Sequence, residues 1–119
     1  MTRERVYNPI DVQGRIDQYV ALVQQKQADY FEAYGFTFSD PPVITVDYGK
    51  KYARIVKNDQ LNGGRSVHTF VNMFTGDILK SASWKAPAPR GVRGNIFAED
   101  LGADRINEHG AIYFKGPKL

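Results

Sequence analysis

The stretch Val43-Ile44-Thr45-Val46-Asp47-Tyr48-Gly49-Lys50-Lys51-Tyr52-Ala53-Arg54-Ile55-Val56 sets two runs rich in β-branched residues around the turn sequence Asp47-Tyr48-Gly49-Lys50. Branching at Cβ suits a pleated surface better than a helix, so the stretch predicts a β-hairpin. Strand alternation puts Tyr52, Arg54 and Val56 on one face and Lys51, Ala53, Ile55 and Lys57 on the other. The cations Lys50, Lys51, Arg54 and Lys57 therefore cannot all form one patch.

Upstream, Asn8-Pro9-Ile10-Asp11 reads as a helix start: Asn caps, Pro fits the first helical position, and Asp complements the positive end of the helix dipole. Ile16, Tyr19, Val20, Val23, Tyr30, Phe31 and Tyr34 then recur at helical spacing, with Arg15, Gln18, Gln25, Lys26, Asp29 and Glu32 opposite them. Gly35 stands where a left-handed cap would end the helix. From Phe36 to Pro42 two prolines favour extended chain.

Downstream, Asp59 to Gly64 is turn-forming, and Ser66 to Phe74 returns to strand composition, with Val67, Thr69, Val71 and Met73 alternating with His68, Phe70, Asn72 and Phe74. Thr75-Gly76-Asp77 predicts a second hairpin turn before Ile78-Leu79-Lys80. The alternate prolines of Trp84-Lys85-Ala86-Pro87-Ala88-Pro89 predict a polyproline-like break and a loop to about Asn95. Ile96 to Ile106 has helical character, and Ala111 to Phe114 resembles a short final strand. These elements predict one α+β domain over 1–119: a long N-terminal helix packed on a three- to four-stranded antiparallel meander, a two-layer sandwich, with a short C-terminal helix and strand.

A chain of 119 residues with 42% apolar residues, seven Tyr and seven Phe can bury one ordinary core. It contains no cysteine, which removes disulfides, thiolate catalysis and cysteine-ligated metals and is easiest to reconcile with a reducing compartment. Met1-Thr2-Arg3-Glu4-Arg5 is charged, no signal-type apolar segment follows it, and no apolar run is long enough to span a bilayer. The expectation is a soluble intracellular protein without membrane contact. The net charge of +3 is unevenly spread: from Asp47 to Gly94 nine cations face three anions, whereas the rest of the chain is net acidic.

The richest candidate site is Lys80-Ser81-Ala82-Ser83-Trp84-Lys85-Ala86-Pro87-Ala88-Pro89-Arg90-Gly91-Val92-Arg93-Gly94-Asn95. It joins four cations, hydroxyls, an indole and two glycines ahead of an expected helix start. Glycine lets backbone amides approach a phosphate, a helix start offers unpaired amides, and arginine adds paired donors. Trp84 stacked on a base would contribute about 1–3 kcal/mol. The expected nucleic-acid or anion site is thus Lys80, Ser83, Trp84, Lys85, Arg90, Arg93, Gly94 and Asn95. A purely structural role for the same residues stays open, with Trp84 as a core anchor and the cations solvated. The glycine spacing matches neither the Walker loop nor the dinucleotide fingerprint.

Other chemistry finds little footing. His68 and His109 have no partner at metal-ligand spacing, so no metal and no cofactor is expected. No serine lies in a nucleophile elbow. Asp100, Asp104 and Glu108 are four apart, which on a helix makes an acidic face that is better explained by solvation than by a bound cation.

The run Thr75-Gly76-Asp77-Ile78-Leu79-Lys80-Ser81-Ala82-Ser83-Trp84-Lys85-Ala86-Pro87-Ala88, continued by Arg93-Gly94-Asn95-Ile96, resembles a stretch found in small uncharacterised proteins of tailed bacteriophages. The resemblance implies a phage accessory protein in the cytoplasm of the infected bacterial host and transfers no site residues. Charge, motif and resemblance together lead to a non-enzymatic binding protein that engages nucleic acid or another phosphate-bearing ligand. The alternative is a protein-interaction module, docking on a host or phage protein or self-assembling through Trp84 and the aromatic faces around Phe70 and Phe74.

Overall fold

The computed structural model describes residues 7–35 and 40–111. Helix α1 spans Pro9–Ala33, and the Asn8 side chain accepts the Ile10 N–H at 2.8 Å as its N-cap, with Pro9 in the first turn. Gly35, at φ 67°, takes the left-handed conformation just past its end. The stripe that α1 buries is Val12, Ile16, Tyr19, Val23 and Gln27, which starts earlier than the apolar pattern suggested. Gln27 is buried because its amide donates to the Glu108 carbonyl at 2.8 Å. Tyr34, placed by periodicity on the buried face, is exposed.

Among the described residues β1 (Val43–Tyr48), β2 (Tyr52–Asn58), β3 (Arg65–Asn72), β4 (Asp77–Ser81) and β5 (Pro87–Asn95) form one antiparallel sheet in sequence order. The hairpin expected at 43–56 is present as β1 and β2, with Asp47 opposite Arg54 and Val46 opposite Ile55. Ala53, Ile55, Val71 and Ile78 turn towards α1 and share its core with Val12, Ile16, Tyr19 and Val23. Each fully buried isoleucine or valine there stabilises the fold by about 1.5–3 kcal/mol relative to exposure. Arg54 and Phe70, paired across β2 and β3, point to the opposite, helix-free face. The chain is thus α+β with the long helix layered on the sheet.

Three expectations need correction. The meander has five strands rather than three or four, because Pro87–Asn95 is a strand and not a polyproline-like loop. Its prolines are tolerated because β5 is an edge strand, where a missing donor breaks no second ladder. Shifts in its register with β4 bring Gly91 so close to Ala88 and Lys80 that an added Cβ would lie 3.0–3.1 Å from their atoms.

The helix expected from Ile96 to Ile106 is replaced by turns and a single 3-10 turn, Ala103–Arg105. Leu101 at φ 59° and Gly102 at φ 77° are consecutive left-handed residues, and no α-helix continues through them. Asp100, Asp104 and Glu108 consequently do not share a helix face. Instead Asp100 accepts the amides of Gly102 and Asp104, contacts that hold its carboxyl below the usual range. Two short strands follow, β6 (Ile106–Asn107) and β7 (Gly110–Ala111), paired to each other. The rest of the expected final strand, 112–114, lies outside the described residues, as does 36–39.

Candidate nucleic-acid interface

The turn between β4 and β5 carries the indole. The Ala82 and Ser83 amides both donate to the Ala86 carbonyl at 3.1 Å. The Ser83 hydroxyl accepts the Lys85 amide at 3.2 Å, and the Ser81 hydroxyl donates to the Ser83 carbonyl at 3.0 Å. Trp84 is tethered to the helix-free sheet face by Arg54, whose Nε donates to its carbonyl at 2.8 Å.

Two guanidiniums attend the ring. The Arg54 carbon lies 4.6 Å and the Arg65 carbon 5.1 Å from the indole centroid, within cation–π range. Both arginines converge on one carboxylate oxygen, Asp47 Oδ2, at 3.3 Å each. Arg65 also donates to Asn58 Oδ1 at 3.1 Å. Trp84 nevertheless keeps 38% of its surface exposed. Beside it Lys50, Lys51, Tyr52, Arg54 and Lys85 line a cleft of about 220 Å³, with Phe70 at its base. The Lys51 ammonium sits 5.4 Å from the Tyr52 centroid, and Tyr52 meets Phe70 edge-on at 6.2 Å.

The eight residues singled out from the sequence divide. Trp84 and Lys85 meet at this face, and Ser83 shapes the turn that presents them. Lys80 lines a separate cleft with His68, Asn107 and His109. Arg90 is exposed on edge strand β5, and Arg93 folds its guanidinium onto the carbonyls of Arg90 and Val92. Among the described residues no α-helix starts after Asn95, where the chain enters turns instead, so Gly94 and Asn95 do not lead into the helix N-terminus that the sequence suggested. Gly94 lets Arg105 pack close: an added Cβ would lie 3.3 Å from its side chain. The Asn95 amide donates to the Thr75 carbonyl and to Asp77, and its oxygen accepts the Phe97 N–H, lacing the β3–β4 turn to the end of β5.

Arg65 and Asp47 were missed as parts of the site. The signal for Asp47 was the hairpin register, which places it directly across from Arg54. Arg65 stands far along the chain from both and is brought in only by the β2–β3 pairing, where it faces Asn58.

At the Lys80 cleft His68 heads a hydrogen-bond chain that runs back into the core. A bulge opposite Ile55 and Val56 leaves His68 without a cross-strand partner, and its Nε2 lies 2.7 Å from the Asn107 carbonyl. A carbonyl only accepts, so Nε2 carries the proton and Nδ1 accepts. Thr69 then donates to Nδ1 at 3.0 Å, and the Tyr19 hydroxyl donates to Thr69 at 2.7 Å. Burial depresses the His68 pKa to about 4, keeping the ring neutral, and burial likewise raises that of Tyr19. Lys57, half-buried and donating to the Glu108 carbonyl, is lowered by desolvation.

Among the described residues no group of His, Asp and Glu gathers in the manner of a metal site, and no helix is long and apolar enough to cross a membrane. The described residues thus form a helix-on-meander α+β fold whose helix-free sheet face is basic and aromatic. The chain belongs to a family of unknown function, DUF7717, whose model matches residues 13–111. No curated protein and no solved structure matches it.

Proposed function

We propose that the chain is a non-enzymatic binding domain that engages nucleic acid, in single-stranded form, on the helix-free face of the sheet. One observation carries the reading: a partly exposed indole set on two guanidiniums beside a cleft edged by Lys50, Lys51 and Lys85. Single-strand platforms combine these ingredients, with aromatic planes for bases and cations for the backbone. The working residues are Trp84, Lys85, Arg54 and Arg65, with Arg90 extending the positive surface along β5. In the setting of a phage accessory protein, this binding would take place in the cytoplasm of the infected host.

Fluorescence polarisation with labelled single- and double-stranded DNA and RNA at about 50 mM salt tests the reading, because phosphate contacts release counterions and weaken as salt rises. Expected is preferential single-strand binding that declines with salt and is lost in Trp84→Ala. Absence of binding to every probe overturns it.

A second reading, an interaction module, draws on Phe74, which is 47% exposed at the rim of an apolar cleft built by Val12, Ile16 and Met73. Phe70 cannot serve it, being 2% exposed beneath Arg54. This reading expects self-association in sedimentation experiments that Phe74→Ser abolishes.

A further inference from the structure

We infer that Asp47 occupies the place of a bound phosphate, so that the single-strand site is held closed by an internal competitor. This rests on the reading of the helix-free face as a nucleic-acid platform. Arg54 and Arg65 aim their terminal nitrogens at the same oxygen, Asp47 Oδ2, each from 3.3 Å. Two guanidiniums converging on one oxyanion are the arrangement that a phosphodiester oxygen also takes, and arginine is the side chain best matched to that geometry.

The other anchors of the two arginines do not depend on Asp47. Arg54 keeps its bond to the Trp84 carbonyl and its places over Trp84 and Phe70, and Arg65 keeps Asn58. The carboxylate is partly exposed, at 41%, and is carried on β1 next to the hairpin turn, so it can leave for solvent while the guanidiniums stay fixed. An incoming strand would exchange one backbone phosphate for this carboxylate while a base lies on the open part of the indole. Binding therefore breaks two ion pairs before it makes two, which lowers affinity and favours ligands that offer the base and the phosphate together.

The test compares the full chain with Asp47→Asn, Asp47→Glu and a control, Glu32→Gln, which removes the same charge from exposed α1 on the other layer. A fluorescein-labelled oligothymidylate is titrated in each case, and circular dichroism checks the fold. If the carboxylate competes, Asp47→Asn binds about threefold to tenfold more tightly than the parent, the range that two partly exposed ion pairs allow. Glu32→Gln then changes affinity by less than about twofold, and Asp47→Glu stays near the parent. Equal gains in Asp47→Asn and Glu32→Gln overturn the competitor while leaving the platform standing. Loss of binding in every protein, parent included, removes the platform and the competitor with it.

Discussion

Gly76 shows how much a single residue decides here. It sits at φ 79° in the β3–β4 turn, and an added Cβ would come within 2.6 Å of the Phe97 ring. Phe97 in turn stacks on Tyr7 at 3.6 Å between centroids. Gly76→Ala should therefore lower unfolding free energy by about 1–3 kcal/mol, from the left-handed strain alone, with the displaced ring adding to it. Chemical denaturation measures this, and a loss below about 0.5 kcal/mol would show that the turn relaxes. His68 makes the second residue-scale prediction. Its folded pKa of about 4 lies below the ordinary value of 6.5, chiefly through desolvation. Between those values the unfolded chain binds a proton that the folded chain refuses, so stability is full above about pH 6.5 and declines as pH falls towards 4, by roughly 3 kcal/mol in all. Denaturation from pH 7.5 to 4.5 should show this slope in the parent and a shallower one in His68→Asn.

Between elements, the latch from α1 to the chain after β5 is the most exposed to mutation. Arg15 donates from Nε to the Ile96 carbonyl at 2.8 Å and from a terminal nitrogen to the Ala98 carbonyl at 2.7 Å. Lysine cannot make both bonds in that fixed fork, so Arg15→Lys should cost about 1–3 kcal/mol in denaturation, nearly as much as Arg15→Ala. Equal stability of Arg15→Lys and the parent would mean that the latch is charge alone. Elements governed by local rules were legible in the sequence: the Asn8-Pro9 start of α1, the β1–β2 hairpin and the glycine turn at 76. β5 was not, because prolines veto a central strand but not an edge, and edge position is decided by the whole sheet. The segment after Asn95 failed for the opposite reason: its composition suits a helix, yet Leu101 and Gly102 take left-handed backbone so that Gly102 can pass Ile78, where an added Cβ would lie 2.5 Å from the isoleucine. Of the site, Trp84 and Lys85 were visible as a basic aromatic motif, and Arg54 as part of a second one. Their union needed the fold-back of the 82–86 turn, which no local pattern encodes.

For the molecule as a whole, the surface divides into layers with different work. The helix side of the sheet is closed by α1 and the short strands, while the far side keeps its cations and its indole in reach of solvent. Binding that uses this far side should weaken steeply with salt, and Trp84→Ala combined with Lys85→Ala should abolish it while leaving the melting temperature within a few degrees of the parent. Loss of binding accompanied by unfolding would instead assign Trp84 a structural role. The strand order has a consequence of another kind. Among the described residues the five strands of the sheet pair in sequence order, so during synthesis the sheet can grow hairpin by hairpin as the chain leaves the ribosome, with little loop entropy to overcome at each step. The clasp of α1 is different, since Arg15 to Ile96 and Gln27 to Glu108 each span 81 residues. Helix α1 can thus dock on β1 early, through Gln24 to Pro42 and Ile44, but its clasp to the far end of the sheet closes only once residues 96 to 108 have left the ribosome.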